Sequence, residues 1–141
     1  MKIIIGTDHR GYDHKEHIKK TVQSVLWLDI GCFSQKPVDY PAIANKAITL
    51  LHKKEAQKAI LLCGSGIGMS IAANRHKGMF AALVWNTLVA KQAKQHENAN
   101  ILILPASYIS MEQSVECIIT WLDAQFLNGQ YAIRCNMIDG I

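Results

Sequence analysis

Residues 59–74 read AILLCGSGIGMSIAAN. The run Ala59–Cys63 has no polar interruption and leads straight into a turn holding three glycines, Gly64, Gly66 and Gly68. A short, unbroken apolar run suits a strand covered on both faces, as in a parallel sheet. The same kind of run recurs as KIIIG (Lys2–Gly6), MFAALV (Met79–Val84) and NILIL (Asn100–Leu104). VLWLDI (Val25–Ile30) is a fifth candidate, less continuous because it contains Asp29.

Helix-period segments lie between these runs. Ile18, Val22 and Val25 recur at helical spacing, as do Ile43, Ala47, Leu50 and Leu51, with Pro41 suited to a first turn. Met111, Val115, Ile118, Leu122 and Phe126 keep one face, and Asn128–Gly129 is expected to stop that helix. Alternating strands and helices predict an α/β fold. The expected form is a three-layer α/β/α sandwich, Rossmann-like, with about five mostly parallel strands. No linker or repeat divides the chain, so residues 1–141 are read as one domain. The mixed tail, about residues 128–141, is expected to pack on its own domain or to reach a partner subunit.

Half of the 141 residues are hydrophobic and 18% are charged, which excludes a disordered chain or a disulfide-stapled miniprotein. Fifteen Lys and Arg against eleven Asp and Glu give a net charge of +4. Lys19–Lys20 and Lys53–Lys54 are the only adjacent basic pairs, so no nucleic-acid partner is expected. An anionic small molecule fits this charge equally well. No apolar run approaches the ~18 residues that span a bilayer, so no membrane association is expected. MKIIIGTDHRG has too short an apolar stretch for a signal peptide. Cys32, Cys63, Cys117 and Cys135 form no CxxC pair. They are read as free thiols of a cytoplasmic protein.

In open parallel sheets, ligands bind beyond the carboxyl ends of the strands. Two such segments carry chemistry: Thr7-Asp8-His9-Arg10-Gly11, and the loop that starts at Cys63. Three glycines at the start of a helix aim backbone N–H groups at one point, which suits a phosphate, a carboxylate or an enolate. The loop is not a dinucleotide fingerprint, because its third glycine comes one residue early and follows the third strand. It lacks the Gly-Lys-Ser/Thr of a P-loop. Cys63 and Ile67 replace the glycines that a nucleophile elbow centred on Ser65 would need. Met69 stands where a cysteine phosphatase carries its arginine.

A helix N-terminus favours thiolate over thiol, so Cys63 is a candidate nucleophile or proton acceptor; the alternative is an inert buried cysteine. Ser65 either relays a proton or caps the turn. Asp8 and His9 would border the same crevice if the first and third strands are neighbours, or Asp8 caps the following helix. His14 and His17 lie three apart on a polar helix face and are not read as metal ligands. His96 is expected in a loop before the last strand, as a solvated or catalytic histidine.

Together, G-T-D-H-R-G (6–11), D-Y-P (39–41), C-G-S-G-I-G-M-S-I-A-A-N (63–74), H-E-N-A-N (96–100) and W-L-D-A-Q-F (121–126) resemble the ribose-5-phosphate isomerase B family. That family includes the allose- and galactose-6-phosphate isomerase subunits. The resemblance implies a cofactor-free aldose–ketose isomerase, a homodimer or dimer of dimers with its sites at the subunit interface. It implies Cys63 as the base between C2 and C1, Ser65 assisting, and His96 opening the furanose ring. The amides of Gly64, Gly66, Ile67 and Gly68 would hold the enediolate. Asp8 would bind ring hydroxyls, His9 and Arg134 the phosphate, and Tyr40 and Asn100 would complete the substrate site. The chain departs from the family pattern at Glu97, where Asn is usual. It departs again at Ser107 and Gln130, where arginines are usual. Arg10 or a lysine is left as a replacement cation.

Overall fold

A computed structural model describes residues 1–140. Five strands form one sheet: β1 (Lys2–Thr7), β2 (Leu26–Asp29), β3 (Lys58–Cys63), β4 (Ala81–Leu83) and β5 (Ile101–Pro105). All pairings are parallel and the order is β2-β1-β3-β5-β4. The inner strands β1, β3 and β5 are buried almost throughout. Their apolar runs are unbroken because each faces helices on both sides.

The helices are α1 (Tyr12–Thr21), α2 (Tyr40–His52), α3 (Ile67–Asn74), α4 (Thr87–Glu97), α5 (Met111–Asp123) and α6 (Gln130–Asp139). Two separate cores prove the three layers. Ile3, Ile5, Ile60, Leu62, Leu102 and Leu104 point to one side, where Ile18 of α1, Ala90 of α4 and Ile118 of α5 cover them. Ile4, Leu61, Ile101 and Ile103 point to the other, under Ile43 and Ala47 of α2 and Met69 and Ala73 of α3. The alternation follows from the two-residue period of a strand. Trp121 is fully buried and its indole N–H donates to the Ala99 carbonyl at 3.2 Å.

The expected architecture holds, but four local expectations are corrected. α5 ends at Asp123, where Ala124 is extended, so Asn128–Gly129 does not stop it. Instead Gly129 precedes α6, a helix where a mixed tail was expected. His96 is in the last turn of α4, not in a loop; that helix buries only Ala90 and Ala93, too small an apolar face to stand out. Val25 lies beyond α1, which ends at Thr21 with Val22 as its cap. Among the described residues, no helix is long and apolar enough to cross a membrane.

Candidate active site

Strand order reverses between β1 and β3: β2 lies on one side of β1, whereas β3 lies on the other. This switch point opens a crevice at the carboxyl ends of the two strands. Asp8 follows β1 and Cys63 ends β3, so both meet there. The crevice measures about 590 Å³ and is lined by Asp8, Arg10, Tyr40, Cys63, Gly64, Ser65, Ile67, Gly68, Ile71, Ser107 and Tyr108.

The glycine loop is anchored from one side. The Cys63 carbonyl accepts from Ala106 N–H at 2.9 Å, and the Gly64 carbonyl accepts from Ser107 N–H at 2.9 Å. In a trans peptide the N–H points opposite to the C=O of the same unit. The N–H groups of Gly64 and Ser65 are therefore turned away from the β5 loop, and among the described residues they have no acceptor. Gly66 has φ +75°, a left-handed conformation that reverses the chain into α3. A side chain there would strike Leu83 and Ile103, so Gly66 faces the core rather than the crevice. It shapes the cradle from beneath. Gly68 lies against the Tyr40 ring, where a Cβ would collide. Ser65 Oγ accepts from Ile67 N–H at 3.3 Å, closing the turn while the residue borders the crevice.

Asp8 is buried, and one carboxylate oxygen accepts from Arg10 N–H at 2.9 Å, capping the short turn His9–Gly11. His9 does not line the crevice. Its Nδ1 accepts from Val38 N–H at 3.2 Å, which fixes the ring proton on Nε2. Of the four thiols only Cys63 lines this crevice. Burial pushes the Cys32 thiol up, pushes Cys117 up to about 11, and raises Cys135 near Glu97. These three are poor sources of thiolate.

Three expected site residues are elsewhere in the chain. His96 ends α4 and precedes β5, at the amino end of the sheet. Cys63 pairs with Pro105 at the far end of β5, so roughly 13 Å of strand separates the two ends at ~3.3 Å per residue. The His96 ring stacks on Tyr131 with centroids 4.4 Å apart, and the Arg134 guanidinium lies over the same Tyr131 ring at 5.8 Å. The Asn100 side chain accepts from Phe80 N–H at 2.9 Å and donates to the Gly78 carbonyl at 2.9 Å. That pair of bonds holds the loop before β4 and keeps Asn100 out of the Cys63 crevice. His14 and His17 bond to the Ile109 carbonyl and the Thr21 hydroxyl.

The family model described as Ribose/Galactose Isomerase matches residues 3–138. The chain belongs to this family. A ribose-5-P isomerase B of Listeria innocua is 32% identical over all of the chain and 97% of its own length. A ribose 5-phosphate isomerase structure from Thermotoga maritima is 39% identical, with TM-score 0.97 over 99% of this chain and 98% of that one. A Mycoplasma genitalium ribose-5-phosphate isomerase B with bound ribulose-5-phosphate is 31% identical, with TM-score 0.92 over 99% of this chain and 94% of that one.

Within this sugar isomerase framework, Ile71 and Tyr108 are lining residues that the sequence did not point to, and Arg10 and Ser107, noted there only for the charge they bring or lack, line the crevice as well. Ser107 and Tyr108 reach the crevice because β5, not β4, is the neighbour of β3. Nothing in the linear sequence orders those two strands. Arg10 lay within the quoted Thr7–Gly11 segment, and only its side-chain direction was missing.

Proposed function

We propose that this chain interconverts ribose 5-phosphate and ribulose 5-phosphate by moving one proton between neighbouring carbons. The observation that carries the proposal is Cys63 in the same crevice as the unbonded N–H groups of its glycine loop. In the proposed step, the Cys63 thiolate takes the C2 proton of the open-chain aldose. The electron pair moves to give an enediolate; the proton then returns to C1 while the O2 hydroxyl proton passes to O1, leaving the C2 ketone. The hydrogen stays on the substrate, so the step is redox-neutral. Its barrier falls chiefly through donors aimed at the developing oxyanion, the role of the Gly64–Gly68 amides. Ser65 assists at the sugar oxygens, and Asp8 and Tyr40 hold hydroxyls. The buried Asp8 carboxylate has one oxygen outside its cap for that purpose.

His96 and Arg134 enter from a second copy of the chain. Both lie at the opposite end of the sheet from Cys63, so one chain does not assemble the full set. Exposed Ile67 and Ile71 line one face of α3 beside the crevice, and exposed Ile133 and Met137 line one face of α6 near Arg134. Such paired apolar stripes suit an isologous interface, in which each copy completes the other's site. His96 then acts as the acid that opens the furanose ring. Arg134 faces the phosphate end of the substrate.

The test is ketose formation by the purified protein, with EDTA present, from ribose 5-phosphate, hexose 6-phosphates and unphosphorylated aldoses. Ribose 5-phosphate is expected to give the highest kcat/KM. Preference for a hexose phosphate would move the substrate and keep the chemistry. A folded protein inactive on every sugar would overturn the proposal.

A further inference from the structure

A sugar phosphate brings two negative charges to the crevice, and within one copy only one lining residue carries a positive one. Arg10 is that residue; no Lys or His lines the site. The single lining carboxylate, Asp8, is held by the Arg10 backbone N–H rather than by its guanidinium. Among the described residues the guanidinium makes no ion pair and no hydrogen bond, and Arg10 is exposed. An arginine without a partner, held over a glycine loop, is preorganised for an incoming anion.

Its surroundings define where that anion sits. A Cβ placed on Gly64 would stand 2.8 Å from Arg10 Cδ, 3.2 Å from Arg10 Nη1 and 3.3 Å from Ser107 Oγ. The guanidinium and the serine hydroxyl therefore flank the same point from the β1 and β5 sides. Ser107 is pinned by its N–H bond to the Gly64 carbonyl at 2.9 Å, and its hydroxyl has no partner among the described residues. One phosphate can bridge the two groups. Gly64 is small because Arg10 needs the space above it.

We infer that Arg10, with Ser107, anchors the substrate's phosphate in this chain. The assignment rests on the sugar-phosphate function proposed above. It makes Arg10 the residue of the crevice's own chain that separates phosphorylated from unphosphorylated sugars. The guanidinium fork takes two phosphate oxygens, the Ser107 hydroxyl donates to a third, and the sugar carbons extend toward Cys63.

The experiment compares wild type, Arg10→Ala, Arg10→Lys and Lys36→Ala. Lys36→Ala removes one exposed positive charge from the loop before α2. For Arg10→Ala, KM for ribose 5-phosphate rises roughly 10- to 100-fold, as expected for loss of a charge-assisted bond. The ratio of kcat/KM for ribose 5-phosphate to that for ribose falls by a similar factor. Arg10→Lys recovers part of the loss, and Lys36→Ala keeps the wild-type ratio. Thermal melting in inorganic phosphate gives a second readout that needs no turnover. Phosphate raises the wild-type melting temperature and does not raise that of Arg10→Ala. If wild type isomerises nothing yet shows this Arg10-dependent shift, the isomerase proposal falls and the anion assignment stands. An unchanged KM, an equal loss on both sugars, or a phosphate shift that is absent from wild type or equal in both proteins overturns the role of Arg10.

Discussion

A site shared between two copies makes a quantitative prediction about mixed dimers. Cys63→Ala removes the base from one copy's crevice, and His96→Ala removes the acid that the same copy lends to its neighbour. Each variant alone loses general acid–base help worth roughly 10²- to 10⁴-fold, so each homodimer is nearly dead. In a heterodimer, one crevice carries both lesions and the other carries neither. Random pairing of equal amounts makes about half the dimers mixed, each with one intact crevice of two, so about one quarter of wild-type activity returns. The proposed sharing rests on the sheet geometry, because the length of β5 keeps His96 from the Cys63 of its own chain. The assay is ketose formation by the two variants coexpressed with different tags and purified through both. Tandem purification enriches the mixed species, and its specific activity approaches half of wild type. Activity no higher than that of the separate variants would refute the shared site.

Two further perturbations follow from the same coordinates. Gly66→Ala forces a non-glycine residue to φ +75° and sets its methyl against Leu83 and Ile103. It is expected to lose at least about 1 kcal/mol in urea unfolding and to lower kcat through the distorted cradle. The second concerns acid stability. Burial acts to raise the Asp29 carboxyl, but Lys15 and Lys19, each 2.6 Å away, and the Gly31 N–H outweigh it and hold it below the usual carboxylate range. A lowered folded value means that the carboxylate stabilises the fold above the unfolded titration and loses this as pH falls through the folded one. Chemical denaturation from pH 6 down to about pH 3 is expected to show a shallower loss in Asp29→Asn than in wild type, from a lower starting stability.

The layers of this protein were legible where physics leaves one solution for a stretch of sequence. AILLC and KIIIG are covered on both faces, and such a strand shows as an apolar run whatever lies around it. The glycine loop was equally plain, because Gly66 needs its positive φ and no other residue type takes it without strain. Helices with little buried surface were another matter. α6 buries no residue and α4 buries two alanines, so neither imposes a strong period on its sequence. Neighbour relations were hidden for a different reason. Tertiary contacts decided that β5 lies between β3 and β4, and that order brings Ser107 and Tyr108 to the crevice. Asn100 was placed in the site by its motif, and only the structure shows that its amide bonds two backbone groups beside β4, at the same end of the sheet as His96. The distance of His96 from Cys63 became visible only when both were placed on one sheet.

The most direct measurement is kcat of Cys63→Ala on ribose 5-phosphate, with EDTA present and binding of the sugar checked by calorimetry. A sulfur that carries the proton predicts a drop on the order of 10²- to 10⁴-fold with the substrate still bound. Turnover within a few fold of wild type would contradict it and return Cys63 to a packing role.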